Sequence, residues 1–240
     1  MLEREIKKKL KYNIVSFDFG GTLAYEVKGE GAVLKSILNR FGVEVDLQRL
    51  RKAFEEARGW WREERSKGVI WNELGRINFV RILLSNLGLT SQDDGLVELV
   101  ARAWPEAMEF RPYDDTKTTL EVLRSMGFKL IMISNVSSGD ALLKYIAKVG
   151  LSEYFEFLVA SGNVGFEKPD SRIFLMACAT ARTNPERMVH IGDDYEKDYL
   201  GALRSGLGAV LVDRTGRYQD ETLTKVRSLR ELPDVITGPE

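Results

Sequence analysis

Four groups of polar residues stand where apolar runs stop or loops turn, and their types fit one chemistry. In the first, Asn13-Ile14-Val15-Ser16-Phe17 leads into Asp18, and after Phe19 come Gly20, Gly21 and Thr22. The second closes Lys129-Leu130-Ile131-Met132-Ile133 with Ser134 and Asn135. The third is the loop Gly165-Phe166-Glu167-Lys168-Pro169-Asp170. The fourth ends Met188-Val189-His190-Ile191-Gly192 with Asp193 and Asp194, and Asp198 follows one turn later. Carboxylates gathered at one point repel each other and call for a divalent cation, and an all-oxygen donor set suits Mg²⁺. The hydroxyls of Thr22 and Ser134 can hydrogen-bond phosphoryl oxygens, and Lys168 can screen a carboxylate from a phosphate. A carboxylate attacking phosphorus forms an aspartyl-phosphate, an in-line transfer that a metal and a lysine stabilise.

These groups converge only if the chain folds into a sheet that presents them on one edge. Apolar runs at 129–135, 157–161, 188–193 and 209–212 read, with the run before Asp18, as buried strands. They alternate with helical patterns at 120–127, 142–150, 173–181 and 199–206. That alternation predicts an α/β fold, a doubly wound parallel sheet covered on both faces, with ligands bound outside the carboxyl ends of its strands. Between Glu30 and Arg111 the pattern is helical throughout, with four apolar stripes, the last stopping before Pro105, and no strand candidate. The expected organisation is a discontinuous core, 1–24 and 112–240, with an all-helical domain over 25–111 inserted just after Asp18. Leu2, Ile6 and Leu10 read as anchors of a solvated basic flank, with a short amphipathic helix as the alternative.

The chain has 240 residues, 35 basic against 36 acidic, which argues against a general nucleic-acid or anionic-membrane binder. No run reaches the roughly 18 apolar residues of a membrane span, and 1–11 lacks the apolar region of a secretory signal. A single cysteine, Cys178, excludes an intramolecular disulfide and fits a reducing compartment. The expected setting is the cytoplasm; oligomeric state has no signal.

In this order the four groups resemble the haloacid dehalogenase-like (HAD) superfamily. Its first motif, Asp-x-Asp-x-Thr, is matched by Asp18, Gly20 and Thr22, its second by Ser134, its third by Lys168-Pro169, and its acidic fourth by Asp193 to Asp198. The resemblance implies a Rossmann-like core, with the helical insert as a type-1 cap. It also implies Mg²⁺ held by Asp18, the carbonyl of Gly20, Asp193, and Asp198 or Asp194 through water. Asp18 would be the nucleophile, Thr22, Ser134 and Lys168 would hold the phosphoryl group, and Asn135 would assist. The implied activity is hydrolysis of a small phosphorylated metabolite.

Gly20 departs from the family pattern, because it stands where phosphatases of the family carry a general acid/base. Either the leaving group needs no proton, as with an acyl or aryl phosphate, or another residue such as Tyr25 or Glu26 supplies it. The alternatives to a phosphatase are an impaired phosphate-binding or protein-interaction module and a metal-independent 2-haloacid dehalogenase; the retained Asp193 and Asp198 favour metal-dependent phosphoryl chemistry over the latter. His190, within a strand pattern, and Cys178, on a helix face, read as packed residues. Trp60, Trp61 and Trp71 read as core of the helical insert before pocket lining, and Arg62 and Arg65 as a solvated helix face.

Overall fold

The computed structural model describes residues 11–89 and 94–238, so Leu2, Ile6 and Leu10 lie outside the described residues. In chain order the elements are β1 (Ile14–Phe17), β2 (Ala24–Glu26), α1 (Glu30–Arg40), α2 (Leu47–Ser66), α3 (Glu73–Asn86), α4 (Gly95–Ala107) and β3 (Phe110–Pro112). Then come α5 (Thr116–Ser125), β4 (Lys129–Ser134), α6 (Gly139–Lys148), β5 (Leu158–Ala160), α7 (Ser161–Val164), α8 (Ser171–Thr180) and β6 (Met188–Gly192). A π-helical turn over Tyr195–Leu200 leads into α9 (Gly201–Arg204), β7 (Gly208–Val212), β8 (Lys225–Val226) and α10 (Leu232–Thr237).

Six strands form a parallel sheet in the order β5-β4-β1-β6-β7-β8. The chain starts in the middle, builds outward through β4 and β5, then returns past β1 to build the other half. The sheet therefore switches direction beside β1, where an open α/β sheet forms its ligand crevice. Side chains alternate faces along each strand. Val15 and Phe17 of β1 pack with Leu130, Met132, Val189 and Ile191 against α5, α6 and α10. Ile14 packs with Ile131, Ile133 and Met188 against α8 and α9. All four residues of β1 are buried, as burial on both faces requires.

Helices α1 to α4 enclose a core of their own, with Leu34, Leu38, Leu50, Leu83, Leu84 and Val100 at its centre. Asp46 and Asn72 accept backbone N–H bonds at the starts of α2 and α3. Two details correct the sequence reading. Strand β3 overlaps the end of a stretch expected to hold none; it pairs antiparallel with β2, and three residues are too few for periodicity to reveal. Helix α4 runs through Pro105 instead of stopping before it. Pro105 sits in the last turn, and the Lys148 ammonium caps that end by donating to the carbonyls of Pro105, Glu106 and Met108.

An ion pair between buried Asp115 and half-buried Arg214 ties the turn after β1 to the C-terminal segment. Arg214 donates to Asp115 at 2.9 and 3.1 Å and to the carbonyl of Thr22 at 2.8 Å. Asp115 also accepts from the Ser228 hydroxyl and the Leu229 N–H. Burial pushes the Asp115 carboxyl up, but these partners outweigh it and hold the group below the usual carboxylate range. Asp115→Ala leaves Arg214 without its counter-charge and is expected to cost about 3 kcal/mol, a fall in Tm of roughly 6–12 °C for a chain this size. Because the folded-state pKa is depressed, the contribution is complete above the unfolded carboxylate pKa of about 3.9 and fades as pH falls through the folded value. Thermal melts of both proteins at neutral pH and in acid check this: the gap between them should narrow in acid.

Candidate active site at the carboxyl ends of the central strands

Asp18 is the first residue beyond β1, and its N–H donates to the carbonyl of Ile191 at 2.9 Å, which continues the sheet register by one residue. With β4 on one side and β6 on the other, Ser134 and Asp193 fall to either side of it. The Ser134 hydroxyl donates to Asp18 Oδ1 at 3.2 Å. The Lys168 ammonium is fully buried and donates to Asp18 Oδ1 at 2.7 Å and to Asp198 Oδ1 at 2.5 Å. Carboxylate oxygens of Asp18, Asp193 and Asp198 lie within 4.8 Å of one another.

One buried ammonium thus bonds two of three clustered carboxylates. Burial raises the Asp18 carboxyl, Lys168 pulls it down, and the balance stays above the ordinary value. Asp193 is also raised, by burial against the hydrogen bond from Thr22. Asp198 is different: burial pushes it up, but Lys168 and His190 overcome this and hold it far below the carboxylate range. Lys168 loses basicity to burial and regains more from Asp18 and Asp198, so it remains an ammonium. The cluster is short of positive charge, and its donors are all oxygen, which fits a hard divalent cation.

Two glycines make this approach possible. A Cβ on Gly21, whose φ is +82°, would stand 2.3 Å from Asp193 Oδ2, and a Cβ on Gly192 would stand 2.3 Å from Asp198 Cγ. Gly20 is unlike them, since a Cβ there would meet nothing within 4 Å.

The remaining predicted residues hold this cluster. The Thr22 hydroxyl donates to Asp193 Oδ1 at 3.0 Å, and Thr22, fully buried, is not among the residues lining the cavity. Its placement supports orienting Asp193 over touching a ligand. Asn135 brackets the Lys168 peptide, accepting from its N–H at 2.8 Å and donating to its carbonyl at 2.9 Å. The peptide that follows, Lys168–Pro169, is cis. Asp194 and Asp198 also part company. Asp194 accepts from the N–H groups of Glu196 and Lys197 and pairs with the Lys197 ammonium at 2.5 Å, whereas Asp198 turns inward to Lys168. His190 is buried against Phe174, with Nδ1 2.9 Å from the Ser16 hydroxyl and Nε2 3.2 Å from Asp198 Oδ1. Burial lowers its pKa, so it is neutral, and an Nε2–H donating to Asp198 leaves Nδ1 to accept from Ser16. Cys178 is buried, and its thiol is pushed up to about 11 by burial, the wrong direction for a nucleophile.

Asp18, Gly20, Ser134, Lys168, Asp193 and Asp198 line a cavity of about 280 Å³, together with Asn135 and Lys197. Sequence reasoning missed Lys197; it sits inside the acidic motif, where nothing marks it as facing the cavity. Asn135 also lines two neighbouring cavities, so the three spaces adjoin at this residue. One, of about 290 Å³, is walled by Trp61, Trp71, Phe79 and Trp104; Trp60 is not part of the wall. Arg65 is not simply solvated, because it pairs with Glu167 at 2.6 Å, next to Lys168. Of the residues considered as substitutes for the missing acid, Tyr25 packs on the Tyr113 ring, and Glu26 lines the third cavity beside Glu30. Neither lines the Asp18 cavity.

Known proteins resemble this chain in sequence and in fold. The chain is 39% identical over 126 residues to a glyceraldehyde 3-phosphate phosphatase of Methanopyrus kandleri, covering 52% of this chain and 51% of that protein. It is 32% identical over 138 residues to a phosphoserine phosphatase of Thermus thermophilus, covering 56% and 55%. The chain thus spans about half the length of these relatives. A 2-haloacid dehalogenase from Pseudomonas syringae superposes with a TM-score of 0.74 at 23% identity, covering 94% of this chain and 98% of that one, which establishes a shared fold. The profile of the family described as haloacid dehalogenase-like hydrolase matches residues 12–206. Since that match runs unbroken from the strand before Asp18 past the turn that carries Asp198, this chain belongs to the haloacid dehalogenase-like hydrolases.

Proposed function

We propose that the protein is a Mg²⁺-dependent phosphatase acting on a small phosphorylated molecule through an aspartyl-phosphate at Asp18, in the cytoplasm. The observation that carries this reading is the cluster of three carboxylates, two of them bonded to a single buried lysine, with Asp18 the carboxylate bonded by both Ser134 and Lys168. Two relatives named as phosphatases support it. Asp18, Asp193, Asp198 and the carbonyl of Gly20 would hold Mg²⁺, which when bound neutralises charge on the phosphoryl oxygens. Asp18 offers a carboxylate oxygen to phosphorus while Lys168, fixed by the Asn135 bracket, keeps that carboxylate oriented. Ser134 turns its hydroxyl from Asp18 to a phosphoryl oxygen, and Thr22 holds Asp193. Segment 25–111 acts as the cap over this crevice.

Among the described residues, no unpaired carboxyl group lines the Asp18 cavity to serve the leaving oxygen. Each carboxylate lining the Asp18 cavity is already bonded: Asp18 and Asp198 to Lys168, Asp193 to Thr22, and Asp194 to Lys197. The test is hydrolysis of a phosphomonoester by protein stripped with EDTA and then returned to Mg²⁺. Turnover should vanish on stripping and return with the cation. Chloride release from a 2-haloacid by the stripped protein, with no phosphate release under either condition, would refute the reading.

A further inference from the structure

We propose that the phosphomonoester turned over at Asp18 carries an uncharged aromatic leaving group, a phenol, whose ring lies along the wall formed by Trp61, Trp71 and Trp104. The inference rests on the phosphatase reading and names its substrate class. Two independent features of the molecule lead to it.

The first is the cavity next to the nucleophile. Trp71 is its hub: the ring centroid lies 4.8 Å from that of Trp61, 5.8 Å from Phe79 and 6.4 Å from Trp104, all in edge-to-face contacts. These contacts hold the wall rigid before any ligand arrives, and a rigid aromatic surface gains most from another ring. Asn135 and Lys197 line both this space and the Asp18 cavity, so the wall adjoins the place where a group on phosphorus would lie. The charges around its rim are already matched. Arg65 pairs with Glu167 at 2.6 Å, Arg58 with Glu30 at 3.6 Å, and Lys197 with Asp194 at 2.5 Å. A leaving group that bore its own ammonium or carboxylate would have to break one of these pairs. A neutral ring would not.

The second feature is Gly20. Among the described residues no unpaired acid faces the leaving oxygen, since the carboxylates there are bonded and the Lys197 ammonium is paired with Asp194, so the bond that breaks should release an anion stable without a proton. A phenol, with a pKa of about 10 as in tyrosine, departs as phenolate. The alkoxide of a sugar or of serine is far more basic and needs the missing proton. The steps balance. The Asp18 oxygen forms a bond to phosphorus as the P–O bond to the ring breaks, and the phenolate keeps the bonding pair and takes a proton from solvent. Water then attacks phosphorus, freeing phosphate and restoring the Asp18 carboxylate, with its proton passing to phosphate or solvent.

The experiment separates ring recognition from turnover by using phosphonates, whose C–P bond the site does not cleave. Binding of phenylphosphonate and methylphosphonate is measured by calorimetry in Mg²⁺ for wild type, Trp71→Ala and Trp61→Leu. Trp61→Leu keeps an apolar side chain should Trp71→Ala fail to fold. The phenyl analogue is expected to bind about tenfold more tightly in wild type, the size of one good aromatic contact, and this ratio should fall toward one in each folded variant. In parallel, kcat/KM for phenyl phosphate is compared with those for glucose 6-phosphate and phosphoserine, and phenyl phosphate should be the best of the three. Equal binding of the two phosphonates, a ratio that survives both substitutions, or a preference for either alkyl ester overturns the inference. In those cases Mg²⁺-dependent phosphate release continues and the phosphatase reading stands. If no ester yields phosphate at all, that reading has failed as well.

Discussion

Asp18→Asn is expected to lower Mg²⁺-dependent phosphate release by about 10⁴-fold or more, as loss of a covalent nucleophile does, while the protein stays folded. An amide oxygen can still accept from Ser134 and Lys168, which now donate to Asp18 Oδ1 at 3.2 and 2.7 Å. It cannot form the acyl phosphate. The stability side has a definite sign. Burial and the neighbouring Asp198 and Asp193 charges, against the pull of Lys168, raise the Asp18 pKa in the folded state. A carboxylate with a raised folded pKa is a liability that grows as pH rises from its unfolded value through its folded one. Removing the charge should therefore leave the metal-free protein as stable as wild type at neutral pH, or more so. Initial rates and thermal melts on the same samples check both halves. A variant that keeps its turnover within tenfold would remove Asp18 from the chemistry, and one that unfolds would leave the stability argument wrong.

The parts of this site that could be read from sequence are those fixed by where strands stop. An apolar run ending at Asp18, Ser134 or Asp193 needs only a parallel sheet to bring its polar end to the crevice, and β1 lies between β4 and β6. What escaped was set by local turns and by packing between distant segments. Asp194 and Asp198 have the same chemistry on one short motif. Only the π-helical turn decides that the first binds the N–H groups of Glu196 and Lys197 while the second meets Lys168. Thr22 resembles a phosphate ligand until the turn at Gly21, with φ +82°, carries its hydroxyl to Asp193. The aromatic wall draws Trp61, Trp71 and Trp104 from three elements or their flanks, and each alone reads as bundle core, which it also is. Strands β2 and β3 have three residues each, too few to alternate visibly.

Gly20→Asp is the change expected to improve the enzyme. Placing a carboxylic acid at this position should raise kcat/KM for an alkyl ester such as glycerol phosphate by about 10²-fold, the lower end of what general acid/base help contributes, and should raise that for phenyl phosphate far less. The difference follows from the leaving oxygen: an alkoxide needs the proton that the acid brings, whereas a phenolate leaves without it. Room exists for the side chain. A Cβ at Gly20 meets no atom within 4 Å, in contrast to Gly21 and Gly192, where a Cβ would collide with Asp193 and Asp198. The backbone at Gly20 is also not in the left-handed region that makes Gly21 intolerant of substitution. Gly20→Asn, of nearly equal size but without a proton to give, separates chemistry from shape and should show no gain on either ester. If the aspartate variant accelerates both esters alike, the added group acts on the phosphoryl centre or the metal and not on the leaving oxygen. If it accelerates neither while melting and binding Mg²⁺ like wild type, protonation is not what limits this site, and the empty position at Gly20 has no bearing on which phosphate esters the protein can cleave.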